Sequence, residues 1–202
     1  MVKLEFVFDF ASPNAYYVHK VLPDLIERTG AELVILPTLL GGLFKITGNQ
    51  APFITFSDVR GKMAYEMLEN ERFQAKHRLN DFVFNSHFPI NTVMIMRGLL
   101  AARELNVQSQ YIDVVMSAMW EQDINMGDPD TVLRVWQEGG LDADELGKLI
   151  QTDSIKDALK HTTQAVADRG AFGIPTFFVG EDMFFGKERL NQVEDALNKA
   201  LR

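Results

Sequence analysis

The sequence predicts an α/β protein in which the two ends of the chain build one mixed sheet and a large all-helical block is inserted between them. Three observations lead there. Residues 4–36 read as strand, helix and strand; residues 171–202 read as strand, strand and helix; and the stretch between them is dominated by helical periodicity punctuated by caps. Elements in that order close into a compact sheet only if the ends pack together and the helices bulge out between them.

Leu4, Phe6, Phe8 and Phe10 recur at the spacing that puts one set of side chains on one face of a strand. Ser12-Pro13 then opens a helix, with serine as cap and proline at the first helical position. Val18, Val21, Leu22 and Leu25 give that helix a buried stripe, Pro23 predicts a kink in it, and Thr29-Gly30 ends it. Glu32 to Leu36 reads as a second strand, so the opening unit implies a right-handed crossover and a parallel pair.

Gly41 to Pro52 is rich in Gly, Asn and Pro, and helix is read only beyond it, to about Gly170. Asn91-Thr92 precedes a helix over 93–105, Asp128-Pro129 starts another that Gly139-Gly140 stops, and Asp142 with Glu145 has the form of a capping box. Gly170 closes the helix that carries Ile155, Leu159 and Val166. Strands return at 176–179 and 183–185 around the Gly180-Glu181-Asp182 turn, and Leu190, Val193, Leu197 and Leu201 line one side of a last helix. The expected architecture is a thioredoxin-like four-stranded mixed sheet with a helical insertion: 1–45 plus 171–202 as the sheet domain and 46–170 as the insertion. A helical layer on a smaller sheet is the other arrangement these elements allow.

Composition narrows the chemistry. The 202 residues are 47% hydrophobic and 24% charged, enough apolar material for an ordinary core. A formal charge of -8, with no basic run interleaved with aromatics, argues against a nucleic-acid partner. The amino terminus lacks a signal-peptide pattern, and no apolar run approaches the roughly 20 residues that span a bilayer, so a soluble cytoplasmic protein is expected. The chain has no cysteine at all. Disulfides, thiolate metal sites and cysteine nucleophiles are thereby excluded, and any sulfur chemistry must come from a bound thiol.

Ser12-Pro13-Asn14-Ala15 has the spacing of a Cys-x-x-Cys motif with Ser and Ala in the sulfur positions, at the amino end of a helix where free N–H groups favour negative charge. The tetrapeptide is equally well read as a plain serine cap followed by proline. Gly173-Ile174-Pro175-Thr176 opens a strand; a cis bond before Pro175 would expose the Ile174 backbone beside the first helix, and a proline at a strand start also has a plain structural explanation. His19, His77, His87 and His161 are scattered without ligand spacing, so no metal is expected. Met94, Met96, Met116 and Met119 fit helix-packing stripes better than a cofactor box, though some could line an apolar substrate cleft.

Phe8-Asp9-Phe10-Ala11-Ser12-Pro13-Asn14-Ala15-Tyr16, Ala171-Phe172-Gly173-Ile174-Pro175-Thr176 and Met183-Phe184-Phe185-Gly186-Lys187-Glu188-Arg189-Leu190 together resemble the 2-hydroxychromene-2-carboxylate isomerase family, which is similar to kappa-class glutathione transferases. The likeness extends over essentially the full chain and includes Gly48-Asn49, Gly61-Lys62 and 120–133. It implies a DsbA-like fold, glutathione as cofactor, a small aromatic carboxylate as substrate and a homodimer. It makes Ser12 the group beside the glutathione sulfur and Ile174, with Pro175, the backbone partner of the cysteinyl unit. Asn49 and Lys62 become polar contacts, and Lys187-Glu188 falls where the family, usually with a small or amide residue followed by Asp, binds the γ-glutamyl end. A glutathione-dependent isomerase is the first reading; a kappa-like transferase and a non-catalytic thiol- or peptide-binding module are the alternatives.

Overall fold

A computed structural model describes residues 1–201. The chain runs β1 (Lys3–Phe8), α1 (Pro13–Thr29), β2 (Glu32–Pro37), α2 (Leu40–Thr47), α3 (Pro52–Thr55), α4 (Lys62–His77), α5 (Val93–Glu104), α6 (Gln108–Trp120), α7 (Pro129–Glu138), α8 (Ala143–Leu149), α9 (Asp153–Asp168), β3 (Thr176–Val179), β4 (Asp182–Phe185) and α10 (Leu190–Ala200), with a 3-10 turn at Lys187–Arg189. The fold is a four-stranded mixed sheet with helices α2 to α9 inserted between β2 and β3.

The strand order is β2-β1-β3-β4. β1 pairs parallel with β2, from Lys3 opposite Glu32 to Phe8 opposite Pro37. On its other edge β1 pairs antiparallel with β3, setting Val7 opposite Thr176 and Phe6 opposite Phe177. The two ends of the chain therefore share one sheet, and the rings of Phe6 and Phe177 stack across the join with centroids 5.3 Å apart. Helices cover both faces of this central strand, so Val7 is as fully buried as Leu4, Phe6 and Phe8.

α1 begins where the sequence places it. Ser12 caps it with its side chain on the Ala15 N–H, Pro13 follows, and Gly30 closes it with φ 65°. Pro23 lies inside a helical run that continues through it to Thr29. The capping residues at Asp128 and Asp142 are also observed, each side chain accepting a backbone N–H of its helix.

The Gly-rich segment is the main departure from the sequence reading, because residues 40–47 are helical despite Gly41 and Gly42. Tertiary packing overrides propensity here. Leu43 is fully buried, α2 lies on α9, and a Cβ at Gly42 would already touch Thr163 Cγ2 at 3.4 Å. α2 also crosses residue 45, where the sequence reading divides the chain.

Candidate active site

The turn between β1 and α1 is held against the loop that precedes β3. Ser12 is 5% exposed, and its hydroxyl donates to the Ile174 carbonyl at 3.1 Å while accepting the Ala15 N–H at 3.2 Å. The Ile174–Pro175 bond is cis. Ser12 is thus both the helix cap and the residue that meets Ile174 across 162 positions of sequence. A negative charge beside it would lie at the amino end of a 17-residue helix, where the dipole favours an anion.

Consecutive residues of the 172–175 loop are gripped by different elements. Phe172 O accepts from Asn49 Nδ2 at 2.7 Å, so the loop after α2 reaches the site through a backbone carbonyl. The Phe185 ring lies on Gly173, where an added Cβ would come within 2.8 Å of it, and Gly173 O accepts the Thr176 hydroxyl at 2.7 Å. Pro175 O accepts the Gly186 N–H at 2.9 Å, which brings Lys187 and Glu188 alongside.

Lys187 is only 3% exposed; its Nζ lies 2.6 Å from Glu188 Oε1 and 5.8 Å from the Phe73 ring centre. Glu188 is half-exposed. Burial would raise its carboxyl, but the Lys187 ammonium and its own backbone N–H outweigh that and hold it below the usual value. The pair borders a groove of about 300 Å³ between the carboxyl-terminal half of α1, α4 and the start of α10.

The structure therefore joins Ser12, Ile174, Pro175, Asn49, Lys187 and Glu188 through one loop. Lys62 is not joined to them: it opens α4, pairs with Glu66 at 2.5 Å and lies over the Phe56 ring. At 1.5 Å rise per residue, Lys62 is about 16 Å along the helix from Phe73, the α4 residue beneath Lys187. Of the four methionines singled out in the sequence, Met96, Met116 and Met119 are buried in the core and Met94 is packed against it. Among the described residues there is no group of three His, Cys, Asp or Glu side chains able to hold a metal.

Two residues escaped the sequence reading. Trp120 is fully buried, and its indole N–H donates to Phe10 O at 2.9 Å, just before the Ser12 turn. Around it gather Phe82, Phe84 and Phe88, with Phe53 packed on Phe88; Phe84 is 56% exposed and Phe53 40%. Asp9 is the other: a fully buried carboxylate three residues before Ser12, accepting the Ala11 and Leu40 N–H groups. A charged residue between Phe8 and Phe10 was the available signal.

Comparison with known proteins agrees with this architecture: the model of the DSBA-like thioredoxin domain matches residues 3–198. The chain belongs to the DSBA-like thioredoxin domain family. Within this family it is 27% identical, over 96% of its length and 97% of the relative's, to a 2-hydroxychromene-2-carboxylate isomerase of Sphingobium xenophagum. It is 26% identical, over 93% of its length and 87% of the relative's, to glutathione S-transferase kappa 1 of Rattus norvegicus. Among solved structures of the DsbA-like fold, a 2-hydroxychromene-2-carboxylate isomerase superposes with TM-score 0.83 at 24% identity, covering 99% of this chain and 96% of that one. No described helix is long and apolar enough to cross a membrane.

Proposed function

We propose that this protein is a glutathione-dependent cis-trans isomerase of an aromatic carboxylate of the 2-hydroxychromene-2-carboxylate type, in aromatic hydrocarbon catabolism in the cytoplasm. The observation that carries the reading is the buried Ser12 hydroxyl at the helix amino end, in contact with Ile174, in a chain that has no sulfur nucleophile of its own. Full-length likeness to named isomerases supports it.

The residues suit glutathione. Ile174 offers backbone groups beside Ser12, and the half-exposed Glu188, paired with the buried Lys187, offers a carboxylate to the ammonium of a γ-glutamyl end. Asn49 and Lys62 are the further polar contacts of the proposal. When bound, glutathione would supply a thiolate able to add reversibly to a conjugated carbon, and Ser12 with Ile174 would hold its cysteinyl unit at the helix amino end.

Ser12 stabilises charge in this scheme and does not attack, because no base adjoins its hydroxyl. Its proton turns from the Ile174 carbonyl towards the sulfur. A hydrogen bond to a charged group contributes about 1.5–3 kcal/mol, enough to lower a thiol by roughly one to two pKa units from about 8.5. The exposed rings of Phe84 and Phe53, anchored through Phe88 and Trp120 beside the Ser12 turn, supply an apolar face for an aromatic substrate.

Calorimetric titration with glutathione tests the premise, and product analysis with 2-hydroxychromene-2-carboxylate tests the reaction. No glutathione binding ends the proposal. A stable thioether product instead favours a kappa-like transferase, the second reading, which the kappa relatives support at nearly the same identity. A homodimer belongs to the same proposal, and a second copy could cover the exposed Ile54, Tyr65 and Met67; sedimentation equilibrium decides it.

A further inference from the structure

Asp9 is fully buried at the end of the central strand and, among the described residues, is held by hydrogen bonds alone. Oδ1 accepts the Ala11 N–H at 3.0 Å and Oδ2 accepts the Leu40 N–H at 2.7 Å. Burial pushes the carboxyl above its usual value although those bonds pull it down. Such a group is costly to keep, and a fold that needed only packing there would place an apolar residue.

What Asp9 connects gives the reason. The first of its bonds, with Ser12 N–H on Asp9 O at 3.3 Å, shapes the turn that presents Ser12. The second caps α2 from 31 residues away, because Leu39 at the cap position makes no side-chain cap bond of its own. α2 ends at Gly48 with φ 72°, and the next residue, Asn49, donates to Phe172 O, two residues before Ile174. Ile174 O in turn receives the Ser12 hydroxyl. The contacts close a ring: Asp9, α2, Asn49, the 172–174 loop, Ser12 and back to Asp9.

We propose that Asp9 is a positioning residue that ties the Ser12 turn to the start of α2 and so sets where Asn49 and Ser12 sit relative to one another. It touches neither the thiol nor the substrate. The inference rests on the proposed function only in assigning Ser12 and Asn49 to a bound glutathione; the ring itself is a property of the free protein.

Two substitutions cut the same link from opposite sides. Asp9→Asn keeps the volume but turns an amide N–H towards one of the two donors. Leu40→Pro removes the N–H that Oδ2 accepts, at the first position of a helix, where proline is tolerated, and it decides the matter if Asp9→Asn does not fold. In the full-length, ligand-free protein, nuclear magnetic resonance should show the Asn49 side-chain amide shifted in both variants, with exchange of the Ala11 amide, and in Asp9→Asn of the Leu40 amide, about tenfold faster. Asp113→Asn, on the surface beside His19, should leave these signals unchanged. With glutathione, Asp9→Asn and Asn49→Ala should each weaken binding about tenfold, and the double variant should be no weaker than the poorer single, as expected for one linked unit. An unmoved Asn49 signal in the folded variants, or additive losses in the double variant, overturns the proposal. Absence of glutathione binding by the wild type removes the functional reading, while the ligand-free signals still decide the role of Asp9.

Discussion

The two sides of the candidate site are built by different means. On one side Ser12, Ile174 and Trp120 are buried and locked by hydrogen bonds to backbone carbonyls or N–H groups. On the other, α3 and α4 contain no buried residue at all, and Lys62 is held by one surface ion pair. On the first side stability and chemistry share the same groups, so changes there move both. On the second, an exposed side chain such as Lys62 can be altered with little effect on folding.

The comparison is tested first where the effect should be largest. Trp120→Phe removes the indole N–H and leaves the Phe10 carbonyl buried without its donor, so chemical denaturation should show a loss of about 1–3 kcal/mol; a variant as stable as wild type would mean the buried side is not locked as described. Ser12→Ala should cost about 0.5–2 kcal/mol as a lost cap. It should also raise the pKa of bound glutathione by roughly one to two units in an ultraviolet thiolate titration, with activity recovering partly as pH rises. Lower stability with an unchanged titration would leave Ser12 as a cap and nothing more.

Glu188→Gln leaves the buried Lys187 without its carboxylate and should lower the thermal midpoint at neutral pH. The folded protein holds the Glu188 carboxyl below its usual 4.5, so its contribution is complete above that pH and fades as pH falls through the depressed value. The gap between wild type and variant should accordingly be flat near pH 7 and close below about pH 4.5. The smallest expected change in stability is Lys62→Ala, within about 0.5 kcal/mol because an exposed ion pair contributes little. If Lys62 contacts glutathione, affinity should drop in this variant without that loss of stability; equal affinity removes Lys62 from the site.

Sequence by itself determined the opening strand-helix-strand and closing strand-strand-helix units, the Ser12 cap with its proline, the Gly30 stop and the exclusion of cysteine chemistry, because each follows from a few neighbouring residues or a simple count. It also located the two motifs that meet, at 12–15 and 173–176. It misread 40–47, since local rules give Gly41 and Gly42 a poor helix propensity and cannot know that a cap arrives from Asp9. Only the tertiary structure decided that the Ser12 proton goes to Ile174 O, that Asn49 reaches Phe172 O over 123 residues, and that Lys62 stands apart. Those choices depend on which buried donor finds which acceptor once the layers have packed. A buried polar group must be satisfied by whatever the fold brings within about 3 Å, and no pattern in the local sequence encodes that neighbour.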